Sequence, residues 1–315
     1  MTGSRVVALG HYQPERVLTN DELATMVETN DEWIQSRVGI RERRIAAPDE
    51  QVAEMAWRAA DKAVANAGID SSEIDYVVVA TCTAIDRSPN IAARVAARMG
   101  LGNPAAIDVN TACSGFAYAL ATADQAIRAG AATKALVIGV EKLSDWTDWT
   151  DRTTCVLIGD GAGAAVVVAD DTDDTAGISP VVWGSVPEMS DAVRIEGRDG
   201  PFAQEGLSVF RWATTQLPEI AQQVCEKAGL KPEDLGGVVL HQANLRIIEP
   251  LAKRLGAVNA VVAKDVVESG NTSAASIPIA LSKLVEKREI PSGAPVLLFG
   301  FGGGLSYAGQ VIRCP

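Results

Sequence analysis

The chain has 315 residues, 47% of them hydrophobic, and carries a net charge of −12. That length and apolar content suffice for one large core or two coupled ones. The acidity argues against general binding to nucleic acid or an anionic membrane, so any acidic partner must be met by a local basic patch.

The first residues, "MTGSRVVALGHY", hold no hydrophobic region long enough for a secretory signal. No apolar run elsewhere approaches the roughly 18 residues of a membrane span. Five cysteines (Cys82, Cys113, Cys155, Cys225, Cys314) form no C-x-x-C pair. An odd, scattered set argues against a disulfide framework or a structural zinc site. A soluble cytoplasmic protein is expected, with no membrane or nucleic-acid partner.

Arg37, Arg41, Arg43 and Arg44 form the densest basic cluster, which is either a solvated face or a binding patch. "MAWRAADKAVANAG" reads as a helix closed by a glycine, and "YVVVA" as a buried strand. After the strand "AAIDV" comes "NTACSGFAYAL" (110–120), with Cys113 opening a helix. Buried structural cysteine is common. A helix N-terminus, however, presents free N–H groups that favour a thiolate. Cys82, Cys155, Cys225 and Cys314 have no polar neighbours in sequence and are read as packing. Trp146 and Trp149 lie in "EKLSDWTDWTDRTT", where they either narrow a pocket or, the favoured reading, pack a dimer. "GDGAGAAVVV" could suggest a dinucleotide loop, but its glycines precede a strand instead of opening a helix. Residues 187–206, rich in glycine and charge, read as a loop over a tunnel mouth.

In the second half His241, one of two histidines, ends the strand "GGVVL". It could be a satisfied half-buried residue. On the following helix Arg246 and Lys253 share a face, with Arg254 adjacent: either an exposed helix or the basic patch an acidic carrier would need. Asn271, in "SGNTSAAS", could be a helix N-cap.

The chain repeats itself. Ala67-Gly68-Ile69 answers Ala228-Gly229-Leu230, and "GAATKALVIG" (130–139) answers "PSGAPVLLFG" (291–300), both at an offset of 161. The stretch from "ARMGLG" to "TACSG" answers the one around "SGNTS" with a shift of a few residues, placing Asn271 near the counterpart of Cys113. The period is too long for a solenoid. It reads as a duplicated domain, residues 1–170 and 175–315. Near-continuous apolar strands between helices imply mostly parallel sheets covered on both faces. Two such halves about a pseudo-twofold axis form a five-layered α/β/α/β/α sandwich. Strand ends from both halves would then meet at one site.

"NTACSGFAYAL", "HQANLRII", "SGNTSAASIPIAL", "IGDGAGAAVV" and "GFGGGLSYAG" together resemble the motif set of β-ketoacyl-acyl carrier protein synthase III, of the thiolase-like superfamily. The match runs in order over nearly the whole chain from "NDEWIQSRVGIRERRIA". The resemblance implies a Cys113–His241–Asn271 triad, with the backbone N–H groups of Cys113 and of the turn ending at Gly304 as oxyanion donors. It implies that Trp33 and Arg152 sandwich the adenine of CoA and that Arg37 holds the nucleotide. Arg246, Lys253 and Arg254 would meet an acyl carrier protein. Ser88, from the partner subunit of a homodimer, would line the acyl pocket and leave room for branched or longer primers. The implied reaction is decarboxylative condensation of an acyl-CoA primer with malonyl-acyl carrier protein, without metal or redox cofactor.

Other members of the fold were weighed. A degradative thiolase would carry a second cysteine in the turn "GFGGGLSYAG", which has none. A hydroxymethylglutaryl-CoA synthase-like enzyme would want a glutamate near the cysteine, and none is evident in sequence. An acyltransferase to an alcohol or amine, using His241 as a base, stays open, as does a condensing role in secondary metabolism. A non-catalytic partner subunit should lack Cys113.

Overall fold

Two sheets of five strands carry the architecture. The computed structural model describes residues 3–170, 177–197 and 200–315. The first sheet uses β1 (Gly3–Tyr12), β2 (Tyr76–Ala80), β3 (Ala105–Val109), β4 (Lys134–Lys142) and β5 (Asp160–Asp170), in the order β1-β5-β4-β2-β3. The second uses β6 (Val182–Gly184), β7 (Gly237–Leu240), β8 (Val261–Val262), β9 (Pro295–Phe301) and β10 (Tyr307–Arg313), in the order β6-β10-β9-β7-β8. The two orders are the same topology written twice.

Each sheet is mixed, not mostly parallel as the strand composition suggested. β2 runs parallel to β3 and β4, whereas β5 runs antiparallel to β4 and β1. β7 likewise runs parallel to β8 and β9, with β10 antiparallel to β9 and β6. The reason lies in the glycine-rich segments. They lead back alongside β4 and β9 directly, and a return without a crossover helix must be antiparallel.

Helices α1 (Asp31–Val38), α2 (Val52–Ala67), α3 (Ile91–Arg98) and α4 (Gly115–Arg128) belong to the first half. Helices α5 (Gly206–Thr215), α6 (Leu217–Lys227), α7 (Leu245–Leu255) and α8 (Ser276–Glu286) belong to the second. α2 buries Val52, Met55, Ala56, Ala59, Ala60, Ala63 and Val64, a stripe at helical spacing, and packs with α3 on the outer face of the first sheet. α4 and α8 lie between the sheets, each touching strands of both. That position explains their composition: α4 buries residues around most of its circumference. With α6 and α7 outside the second sheet, the layers number five in the expected thiolase-like sandwich.

The strands of one sheet fall within 3–170 and those of the other within 182–313, but the cores interpenetrate. Leu18, Ile34, Ile40, Leu143, Val156 and Ile158 pack in one cluster with Val238, Leu240, Leu251 and Phe299 of the second half. Residues 171–176, where the proposed domain boundary falls, lie outside the described residues.

Candidate active site

The ends of β3 and β9, the loop after β2 and the turn before α8 converge on a cavity of about 390 Å³. Cys82, Cys113, Leu143, Trp146, Asn271, Ser273, Gly303 and Gly304 are among its lining residues. Cys113 sits in a tight turn (Ala112–Ser114) that runs into α4, with Ala112 at φ +45°. The turn Gly302–Gly304 presses on it: a Cβ at Gly302 would lie 2.6 Å from the Cys113 Cβ and 2.8 Å from its Sγ. Only glycine permits that approach. Burial pushes the Cys113 thiol up from its ordinary value, against opposing hydrogen bonds from the Ser273 hydroxyl and the Gly303 N–H. The direction is opposite to the one expected from the helix N-terminus. The backbone N–H groups that favour the thiolate are those of Gly303, one residue before Gly304, and of Cys113 itself.

His241 follows β7, its N–H donating to Phe299 O at 2.9 Å, and its ring stands edge-on to Phe301 at 5.5 Å. The side chain is buried, and burial lowers its pKa to about 3, so the imidazole is neutral. Ser276 Oγ lies 2.8 Å from Nδ1 and accepts the N–H of Gln242 at 3.2 Å. With the serine hydrogen directed at Nδ1, Nε2 carries the ring proton and is a donor.

Asn271 is fixed by the same logic. Its Oδ1 accepts the Ser273 N–H at 2.8 Å, and among the described residues the amide N–H pair is unspent. Its backbone is clamped by Asn271 N–H to Leu157 O at 2.7 Å and Gly159 N–H to Asn271 O at 3.0 Å. The repeat register differs from the one expected. The offset of 161 holds through the turn without a shift, so Ala274 answers Cys113 and Asn271 answers Asn110. The paired asparagines make the same bond, Asn110 Oδ1 accepting from Ala112 N–H at 3.4 Å.

Glu141 was missed in the sequence. It ends β4 and is wholly buried beside Cys82, Ser273 and, further on, Cys113, so the fold does bring a glutamate near the cysteine. Cys82 is likewise not mere packing, since it lines the cavity and its Sγ lies 3.3 Å from Glu141. Trp146 also lines the cavity, pinned by Nε1–H to Thr83 O at 3.2 Å, while Trp149 packs against the cluster shared by the two halves.

The chain is similar to a known group of proteins. Residues 107–187 match the family 3-oxoacyl-[acyl-carrier-protein] synthase III, and residues 225–314 match its C-terminal family. The β-ketoacyl-[acyl-carrier-protein] synthase III 2 of Streptomyces avermitilis is 70% identical over 315 residues, covering 100% of both chains. The chain belongs to the β-ketoacyl-[acyl-carrier-protein] synthase III family. Among solved structures of similar fold, the priming β-ketosynthase of the R1128 polyketide pathway has a TM-score of 0.96 at 41% identity, covering 99% of this chain and 96% of that one. The 3-oxoacyl-[acyl-carrier-protein] synthase III of Aquifex aeolicus has 0.93 at 40%, covering 99% and 100%.

The remaining synthase III positions divide. Trp33, Arg37 and Arg152 come together: the Arg152 guanidinium lies 5.1 Å from the Trp33 ring centre and that of Arg37 lies 5.9 Å away. Arg152 thus lies over the Trp33 ring, against which the resemblance would place an adenine. The rest of the arginine cluster is spent elsewhere. Arg41 pairs with Glu268 at 3.2 Å, Arg44 donates to Glu15 O, and Arg43 is fully buried against Leu18 O, Asn20 and Val156 O. On α7, Arg246 and Lys253 flank one surface hollow with Glu249, whereas Arg254 turns onto Thr214 O. Ser88 is exposed in the loop after β2, with a cis bond to Pro89, and is not among the residues lining its own chain's cavity. The segment expected as an irregular loop contains a hairpin, Val193–Ile195 against Phe202–Gln204. Val193, Ile195 and Phe202 line the cavity. Residues 198–199 of that segment lie outside the described residues.

Proposed function

We propose that this chain condenses an acyl-CoA primer with malonyl-acyl carrier protein, initiating fatty-acid or polyketide-type synthesis through an acyl-Cys113 intermediate. The observation that carries the reading is the pair of neutral donors, His241 Nε2–H and the Asn271 amide, each with its other polar atom already engaged. Loss of CO2 from a malonyl thioester leaves an enolate whose negative oxygen needs donors that stay neutral and are not consumed. Preorganised donors of this kind are each worth on the order of 10²- to 10³-fold in rate.

In the first half-reaction the Cys113 sulfur attacks the acyl-CoA carbonyl and CoA leaves as the thiol. The backbone N–H groups of Cys113 and of the Gly302–Gly304 turn would hold the tetrahedral oxygen. In the second, the carbanion formed by decarboxylation attacks the acyl-Cys113 carbonyl and releases the β-ketoacyl carrier. The reading assigns every step to side chains and backbone, with the CoA thioester as substrate and no cofactor. Trp33, Arg37 and Arg152 would hold the nucleotide of CoA, and Arg246 and Lys253 would face the acidic carrier, with Arg254 alongside. A homodimer is part of the reading. The exposed Ile107 on the edge strand β3 and exposed Ile85 beside Ser88 support it. No helix among the described residues is long and apolar enough to cross a membrane, which fits a cytoplasmic enzyme. Transfer of the acyl group to an alcohol or amine would need His241 as a base. An imidazole with a pKa of about 3 and its Nδ1 engaged is poorly suited to that role.

Intact mass after mixing with straight and branched acyl-CoAs, then with malonyl-carrier, tests the proposal. An adduct absent in Cys113→Ala and discharged as a β-ketoacyl carrier is expected. An adduct that malonyl-carrier leaves untouched would favour the acyltransferase.

A further inference from the structure

Glu141 is an anion-forming group buried without a cation. Its carboxylate accepts hydrogen bonds from Thr83 Oγ1 at 2.6 Å, Thr81 Oγ1 at 3.2 Å, Cys82 N–H at 3.1 Å and Ser273 Oγ at 3.1 Å. It makes no ion pair among the described residues. The adjacent Lys142 points away to Ala47 O at 3.0 Å and to Asp145 at 3.5 Å. β5 places Gly161 opposite, the turn before α8 supplies Ser273 and Ala274, and the titratable neighbours are Cys82 after β2 and Cys113 before α4. Burying an unpaired carboxylate is costly even when hydrogen-bonded. Such a group persists where its protonation is used. The Ser273 hydroxyl links the two centres, since it donates to Glu141 and lines the same cavity wall as Cys113.

We propose that Glu141 is the proton acceptor for Cys113, reached through the Ser273 hydroxyl. This rests on the condensing function proposed above. As the Cys113 sulfur bonds to the acyl carbon, its S–H proton passes to Ser273 Oγ while the serine proton passes to Glu141 Oε1. The carbon–sulfur bond to CoA then breaks, and the stored proton returns by the same route to the departing CoA sulfur. One negative charge is buried before and after the shift, so the site exchanges charge between sulfur and oxygen without burying a second one. His241, neutral and already engaged at Nδ1, is thereby left free to act only as a donor.

The experiment measures the two half-reactions separately in the full chain: acylation of Cys113 by acetyl-CoA, followed by quenched intact mass, and decarboxylation of malonyl-carrier. Glu141→Gln and Ser273→Ala are expected to slow acylation by about 100-fold or more relative to decarboxylation, the scale of a lost proton acceptor. The acid limb of the wild-type acylation profile, which belongs to the carboxyl, should vanish in Glu141→Gln. Acylation should then rise only at the alkaline pH where the thiol ionises unaided. Acylation by either variant at the wild-type rate overturns the relay. So does faster iodoacetamide alkylation of Glu141→Gln, which would make the carboxylate only a repulsive neighbour. Equal loss of both half-reactions in Ser273→Ala also overturns it, and that variant decides if Glu141→Gln does not fold. A wild-type protein that no acyl-CoA acylates would instead overturn the proposed function itself.

Discussion

Ala112 and Ser273 hold the same backbone conformation, φ +45°, at the same point of the two halves. Each opens the tight turn that runs into a buried central helix, directly before Cys113 in one half and Ala274 in the other. The left-handed turn is unfavourable for any residue with a side chain. Its retention in both halves shows that the duplicated turn was kept for shape. One copy presents a sulfur to the cavity and the other presents the Asn271 amide.

The two halves therefore divide the labour, and the division can be measured. Cys113→Ala should abolish acylation. His241→Ala and Asn271→Ala should each lower malonyl decarboxylation and condensation by about 10²- to 10³-fold while leaving Cys113 open to acylation. Rapid CO2 release from both donor variants would sink their assigned roles.

Ser276→Ala removes the hydroxyl that directs the His241 tautomer. Loss of one such bond is worth about 1 kcal/mol. Decarboxylation should fall by about tenfold or less, with acylation unchanged. The nitrogen chemical shifts of His241 should move toward a mixture of tautomers.

Gly302→Ala introduces a Cβ at 2.6 Å from the Cys113 Cβ. Something must move, and the nucleophile is the nearest neighbour. Acylation by acyl-CoA should fall by about 100-fold, the penalty of displacing a reacting atom by roughly 1 Å. A variant that acylates at the normal rate would show that the turn can yield without moving the sulfur.

Much of this was legible in the sequence because each element leaves a local mark. The repeat shows as a fixed offset, Cys113 as a strand–turn–helix boundary and His241 as one of only two histidines. Glu141 leaves none. It is a single acid at a strand end, and its meaning comes from Thr81, Thr83 and Ser273 arriving from two other loops. Arg43 looked like part of a basic surface, yet its neighbours along the chain do not reveal that its guanidinium points inward to Leu18 O and Val156 O. The antiparallel return of β5 and β10 was hidden because a buried strand reads alike in either direction.

Trp146 was weighed between pocket wall and dimer packing, and its place in the cavity wall makes it a candidate limit on primer length. Trp146→Ala should raise kcat/KM for longer acyl-CoAs over acetyl-CoA by about tenfold, the scale one methylene carries in an apolar pocket. An unchanged preference across a chain-length series would assign the limit elsewhere.

Acid stability follows from the histidines. The native pKa of His241 is lowered to about 3 and that of His11 to about 4, against 6.5 when unfolded. The unfolded chain thus binds protons that the native one refuses, so stability is full above about pH 6.5 and falls as pH drops toward 4. Asp160, pushed up to about 6, acts in the opposite sense between about pH 4 and 6 and makes the fall shallower. Tm should be flat between about pH 7 and 8 and decline below 6, with part of the decline removed by His11→Asn. A Tm that rises from pH 7 to pH 5 would contradict this balance.

The interpenetrating core means that the ancestral duplication can no longer be undone. A fragment ending at Asp170 would keep its sheet but lose the second-half side of the cluster that holds Leu18, Ile34 and Val156. A fragment beginning at Gly177 would likewise lose the first-half side of the cluster to which Val238 and Leu251 belong. What began as two equal copies has become one cooperative folding unit, in which each copy is the other's missing wall.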